Sequence, residues 1–278
     1  MNFVGFLLLI VYASAQHLKD KHSSEELRKT LVSADDSYSI QTDIAEDLSY
    51  VAQLLNPLGF LGCLAVILSE DWLITAAHCV HERDKEMMKI VTGTTIRGFN
   101  GPISSIEKIV YHEYDPCTKE NDIALIKLKQ SIEINDKQRP IPIAKRPPAI
   151  SDKMIVTKLD QNSNNHISKL KSEEELIKQL PQCQRDMGNK KCGLKESHSS
   201  CLIIGQTFDH ATLQHGDSGG PAVINDQLVG IIRSRRYNRN KTRFTNVYIN
   251  VYEYRNWIHE TTGISCSNSV YLGCSLMK

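Results

Sequence analysis

The chain has 278 residues, of which 41% are hydrophobic and 23% charged. That much apolar material supports a sizeable core and excludes a disordered or collagen-like chain. The formal net charge of +1 argues against bulk attraction to nucleic acid or to an anionic membrane.

Residues 3–12 form an uncharged apolar run, followed by Ala13-Ser14-Ala15. Small residues after a short apolar run mark a secretory signal peptide, with cleavage expected after Ala15. A membrane-spanning helix needs about 20 apolar residues, and this run is too short. The expectation is a secreted, extracellular protein with no membrane partner. In an oxidising compartment the eight cysteines are expected as disulfides, because no Cys-x-x-Cys pair suggests a metal. The ten histidines include no His-x-x-x-His pair, and no metal or other cofactor is expected.

Residues 16–39 are polar and read as a leader or pro-segment. From about residue 40 short apolar runs appear at 50–55, 64–68, 72–76, 123–128, 221–224 and 228–232. They are rich in Val, Ile and Leu and bounded by turn formers, so they predict strands. A succession of strands without long helices indicates an all-β barrel or sandwich. Residues 158–182 read as a long polar loop with a strand near 174–180. Val251, Tyr254, Trp257 and Ile258 fall at helical spacing and predict one C-terminal amphipathic helix. The domain is expected over residues 40–262, with a Cys-containing tail at 263–278.

Three segments carry chemistry: Ile74-Thr75-Ala76-Ala77-His78-Cys79, the run 121–128 containing Asp122, and His215-Gly216-Asp217-Ser218-Gly219-Gly220-Pro221. A serine hydroxyl is a poor nucleophile near neutral pH unless a neighbouring base takes its proton. Glycines around such a serine let backbone N–H groups turn inward.

In these motifs, and in their order His, Asp, Ser, the chain resembles the trypsin-like serine proteases. The resemblance covers roughly residues 40–260. It implies two six-stranded antiparallel β-barrels with a cleft between them, and a protein or peptide substrate. Ser218 would be the nucleophile, His78 the general base, and Asp122 the group that orients the imidazole. The N–H groups of Gly216 and Ser218 would form the oxyanion hole. The resemblance also implies disulfides Cys63–Cys79 and Cys183–Cys201. Cys117–Cys192 and Cys266–Cys274 are then expected as the two remaining pairs. Gln214, Asn238 and Ile224 stand where the family carries further cysteines.

Four features depart from the family pattern. Asp217 is the residue that family members pair with the ammonium of a newly cut terminus. Here Ile40 is followed by Gln41-Thr42-Asp43 and preceded by Ser39, so no trypsin-like cut is offered. Arg233 occupies the place of a serine beside the catalytic aspartate, where it is expected to bond Asp122 and either orient it or draw it off His78. The specificity pocket would have Thr212 at its base and Arg235 and Asn246 on its walls, which argues against cleavage after Lys or Arg. Arg233, Arg235, Arg236, Arg239, Lys241 and Arg243 form a basic stretch. It reads as a solvated loop, or as a site for an acidic ligand or polyanion. Asn240 within it starts a glycosylation sequon.

Two functions follow from these features. One is a secreted serine endopeptidase with specificity unlike trypsin's. The other is a catalytically weak or inactive homologue that acts as a binding protein.

Overall fold

A computed structural model describes residues 47–265, apart from 57, 59, 99–100, 161–168, 181–201, 208–212 and 238–243, together with 275–276. Strands β1 (Val51–Leu55), β2 (Leu61–Ile67), β3 (Trp72–Thr75), β4 (Lys89–Val91), β5 (Ile103–Ser104), β6 (Ile106–Tyr111) and β7 (Ala124–Leu128) form one sheet. Their order is β5-β4-β1-β2-β3-β7-β6, antiparallel throughout. Only Ser105 separates β5 from β6, so the two ends of the sheet are consecutive in the chain. The sheet therefore curls into a barrel. It has seven strands where six are expected, because Ser105 divides one strand into β5 and β6.

The second barrel is closed. It comprises β8 (Lys153–Leu159), β9 (Leu170–Gln179), β10 (Leu202–Thr207), β11 (Pro221–Ile224), β12 (Gln227–Tyr237) and β13 (Phe244–Asn250). Their order around the barrel is β10-β13-β12-β11-β8-β9. Closure removes sheet edges and the aggregation hazard they carry. The segment 158–182 is less of a loop than its composition suggests, since β9 runs for ten residues through it. Leu170, Glu175 and Ile177 are its buried residues, and its register pairs it with β8 from Leu170 to Leu176.

The apolar runs become continuous buried strands. In β2 five consecutive residues, Cys63 to Ile67, are buried, which suits a strand covered on both faces. Met154, Val156, Ile177, Ile203, Ala222, Val229 and Ile232 fill the second barrel. After β13 a 3₁₀ turn (Val251–Tyr254) leads into α1 (Arg255–Thr262). Val251, Tyr254 and Ile258 join the larger core cluster, and burying a side chain such as Ile258 contributes about 1.5–3 kcal/mol. Helix α1 ends at Gly263, whose φ of +73° admits the left-handed cap and whose N–H donates to His259 O at 2.8 Å. A short pair, β14 (Ile264–Ser265) and β15 (Ser275–Leu276), follows. Among the described residues no helix is long and apolar enough to cross a membrane.

Candidate active site

The site is built where the two barrels touch. His78 sits in a 3₁₀ turn (Ala77–Cys79) directly after β3. The Ala77 N–H donates to Asp122 O at 3.1 Å, which fixes that turn against the segment entering β7. Cys63 and Cys79 are disulfide-bonded, tying the same turn to β2.

Asp122 is completely buried. One carboxylate oxygen accepts the His78 backbone N–H at 2.8 Å, and the other lies 2.8 Å from His78 Nδ1. The segment before it is shaped by Asn121, which adopts φ +48° and accepts a hydrogen bond from Tyr254 Oη at 3.0 Å. The helical end of the chain therefore braces the loop that delivers Asp122.

Ser218 is half-buried at the centre of the turn 214–220. Its carbonyl accepts the Leu64 N–H at 2.7 Å, joining the turn to the first barrel. Gly219, at φ +82°, is dictated by space: a Cβ there would lie 2.1 Å from Leu64 O and 2.4 Å from Thr75 Oγ1. Gly216 adopts φ +103°. Among the described residues, the N–H groups of Gly216 and Ser218 donate to no other protein atom, and no hydrogen bond joins Ser218 Oγ to His78 Nε2.

Asp217 is completely buried beneath the turn, and its carboxylate accepts the N–H of Leu159 at 2.9 Å and of Gln214 at 2.6 Å. Burial pushes its carboxyl above the usual range, against the pull of these two N–H groups. Arg233 is 6% exposed and stands with Nε 3.5 Å from Asp122 Oδ2. A terminal guanidinium nitrogen donates to Lys119 O at 2.8 Å, while Nε has no hydrogen-bond partner. Nearby, the Tyr114 hydroxyl is pushed up to about 12 by burial and by the charge of Asp122, which Arg233 partly offsets.

The residues read as pocket walls separate. Arg235 and Asn246 face each other in the β12–β13 ladder, yet Arg235 is exposed and Asn246 is buried. The Asn246 amide donates to Glu175 Oε1 at 2.6 Å. Glu175 is 1% exposed, and burial pushes its carboxyl up. Tyr248 Oη lies close to it without an aligned hydrogen bond. Sequence reasoning missed this buried group, because Glu175 lies in a run of three glutamates that reads as solvated.

Thr212, Asn240, Arg239, Lys241 and Arg243 lie outside the described residues, as do Cys183, Cys192, Cys201, Cys266 and Cys274, and nothing is described of the Arg236 side chain. Cys117 is disulfide-bonded to a partner beyond the described residues. The three donors Cys63, His78 and Cys79 lie close together, but the disulfide removes the two thiolates a metal would need.

The sequence model of the family Trypsin matches residues 40–258. The chain belongs to the trypsin family. Among the relatives of this trypsin-family chain, the trypsin of Sarcophaga bullata is 32% identical over 205 residues, covering 72% of this chain and 78% of that protein. In three dimensions it is similar to an inactivated protease paralogue of the scabies mite, with TM-score 0.63 and 23% identity, covering 78% of this chain and 95% of that one. It is also similar to neuropsin, a serine protease of mouse brain, with TM-score 0.60 and 23% identity, covering 77% and 94%. One neighbour is named as inactivated and the other as a protease, so the trypsin fold alone does not decide activity. The decision rests on the side chains around Ser218.

Proposed function

We propose that the chain is a secreted serine endopeptidase that cleaves peptide bonds with Ser218 as nucleophile, His78 as general base and Asp122 as its orienting group. The carrying observation is the His78 Nδ1 to Asp122 Oδ2 contact at 2.8 Å, made by a buried carboxylate to a partly exposed imidazole. That bond leaves Nε2 as the nitrogen available to Ser218. The imidazole takes the Ser218 proton as Oγ attacks the substrate carbonyl. It returns the proton to the leaving amine, and water then releases the acyl group by the same route.

The unspent N–H groups of Gly216 and Ser218 support their role as oxyanion donors, each worth about 3–4 kcal/mol of barrier. A contact between Ser218 Oγ and His78 Nε2 is commonly loose without substrate and tightens when one is bound. Secretion is supported by the apolar run at 3–12 with Ala13-Ser14-Ala15. Specificity away from Lys and Arg is supported by Thr212 standing where an aspartate would be needed.

A second reading, a weak or inactive homologue used for binding, is favoured by Arg233 beside Asp122. A fluorophosphonate probe on the secreted chain separates the two. Labelling that Ser218→Ala abolishes is expected; no labelling of the wild type under any processing condition would give the binding reading its place.

A further inference from the structure

Asp217 has its hydrogen bonds, but among the described residues no cation forms an ion pair with it. The N–H groups of Leu159 and Gln214 satisfy its oxygens, yet two amides do not neutralise a completely buried carboxylate. Among the described residues the cation whose charge acts on Asp217 is one position from the Leu159 amide in the chain. Lys158 immediately precedes Leu159 at the end of β8, and its side chain is only 5% exposed. Lysine is almost never buried without a partner. Its Nζ lies 2.5 Å from Glu173 Oε2 on β9.

Glu173 is shared. Its other oxygen lies 3.7 Å from Lys171 Nζ. Two ammoniums thus face the Glu173 carboxylate, so that Lys158 does not hold it alone. Both charges of the pair are felt at Asp217: Lys158 pulls the Asp217 carboxyl down, and Glu173 pushes it up. Glu175 and Tyr248 border the same region of the barrel, each also burdened by burial.

The end of β8 is also in mechanical contact with the turn. A Cβ on Gly220 would lie 2.6 Å from Thr157 O, and one on Gly216 would lie 2.9 Å from Leu159 Cδ1. Strand β11, which follows the turn, pairs with β8 through Ala222 and Val156. Whatever fixes the end of β8 therefore fixes the turn.

We propose that Lys158 is the internal cation that holds Asp217 and the 214–220 turn in place, so that the oxyanion donors are set without a newly cut chain terminus. Lys158 is a positioning residue, acting through Asp217 and the Leu159 amide. The consequence for catalysis rests on the reading of Ser218 as nucleophile; the placement of the turn does not.

The test compares Lys158→Met, Glu173→Gln and Lys158→Arg in the full chain. Lys158→Met leaves Glu173 paired with Lys171, so no carboxylate is stranded. Three readouts apply: carboxyl NMR titration of Asp217, hydrogen exchange of the Leu159 and Gln214 amides, and the rate of Ser218 labelling. Lys158→Met is expected to move the Asp217 titration to higher pH, speed exchange of both amides about tenfold and slow labelling about tenfold. Glu173→Gln frees Lys158 for Asp217 and is expected to move the titration the opposite way. Lys158→Arg is expected to restore the wild-type values. Shifts of the two charge variants in the same direction, or no shift in either, would overturn the proposal. If Lys158→Met does not fold, the direction of the Glu173→Gln shift decides alone. If the wild type takes no probe, the catalytic reading fails while titration and exchange still judge Lys158.

Discussion

Arg233 Nε stands 3.5 Å from Asp122 Oδ2, the same oxygen that lies 2.8 Å from His78 Nδ1. Two cationic or potentially cationic groups therefore draw on one buried oxygen. A guanidinium fixed there weakens what Asp122 can offer an imidazolium, because part of the carboxylate's field is already spent. Arg233→Ser is expected to raise the rate of Ser218 labelling about tenfold, the size of one lost charge-assisted contact. The Lys119 carbonyl loses its donor in that variant, so a fall of about 1 kcal/mol in stability is expected alongside. Equal or slower labelling would show that Arg233 supports Asp122 instead of competing for it.

Gly219 and Gly263 make a matched pair. Both adopt positive φ, but a Cβ on Gly219 meets the Leu64 carbonyl at 2.1 Å, while one on Gly263 meets nothing within 4 Å. Gly263→Ala has only left-handed backbone strain to bear, about 1 kcal/mol. Gly219→Ala must also push Ser218 away from β2 and break the Leu64 to Ser218 hydrogen bond. It is expected to cost about 3–5 kcal/mol. Urea denaturation of both variants checks the contrast. Similar midpoints would mean that the two barrels separate at this seam without cost.

The parts of the fold legible in the sequence were those where burial is continuous. Strands β2, β3, β7 and β11 and residues 228–232 of β12 are apolar runs bounded by turn formers; the rest of β12, Arg233 to Tyr237, was read as part of a basic stretch. The strand expected near 174–180 is there as the second half of β9, but its first half was hidden, since its Lys and Glu residues are those of a solvated loop and pairing with β8 and β10 orders them. Lys158 and Glu175 were invisible for the same reason: that each is buried is a property of barrel closure, not of its neighbours in the chain. The motif residues His78, Asp122, Ser218 and Gly216 could be picked out because turns and glycines surround them. The Tyr254 to Asn121 hydrogen bond spans 133 positions, and no local pattern announces it.

Cys63 and Cys79 close a loop with a separation of 16 residues that contains β3 and His78. Closing a loop of that size restricts the unfolded chain by about 3 kcal/mol in the chain-entropy account. The double variant Cys63→Ala with Cys79→Ala is expected to lower Tm by about 6–12 °C for a domain of this size. The His78 turn would keep its hydrogen bonds to Asp122, so labelling of Ser218 well below the new Tm is expected to fall less than stability does. Scanning calorimetry beside probe kinetics reads both. Loss of labelling at full folding would mean that the crosslink itself places His78.

Glu175 makes the second barrel sensitive to pH. Its carboxyl is buried, and burial raises its pKa in the folded state above the usual carboxylate range. The sign follows by linkage. A group whose folded pKa exceeds its unfolded one contributes stability that is complete below the unfolded pKa and is lost as pH rises through the folded one. The barrel should therefore lose stability from about pH 4.5 upward as Glu175 is driven to ionise. Glu175→Gln keeps an oxygen for the Asn246 amide and adds an N–H where Tyr248 Oη lacks an aligned partner. That variant is expected to match the wild type near pH 4 and to be the more stable near pH 7. Asp217, raised for the same reason, remains in both proteins and cancels in the difference. Urea midpoints measured from pH 4 to pH 8 decide it. A stability difference that stays constant over that range would mean that Glu175 ionises in the folded barrel as readily as in the unfolded chain.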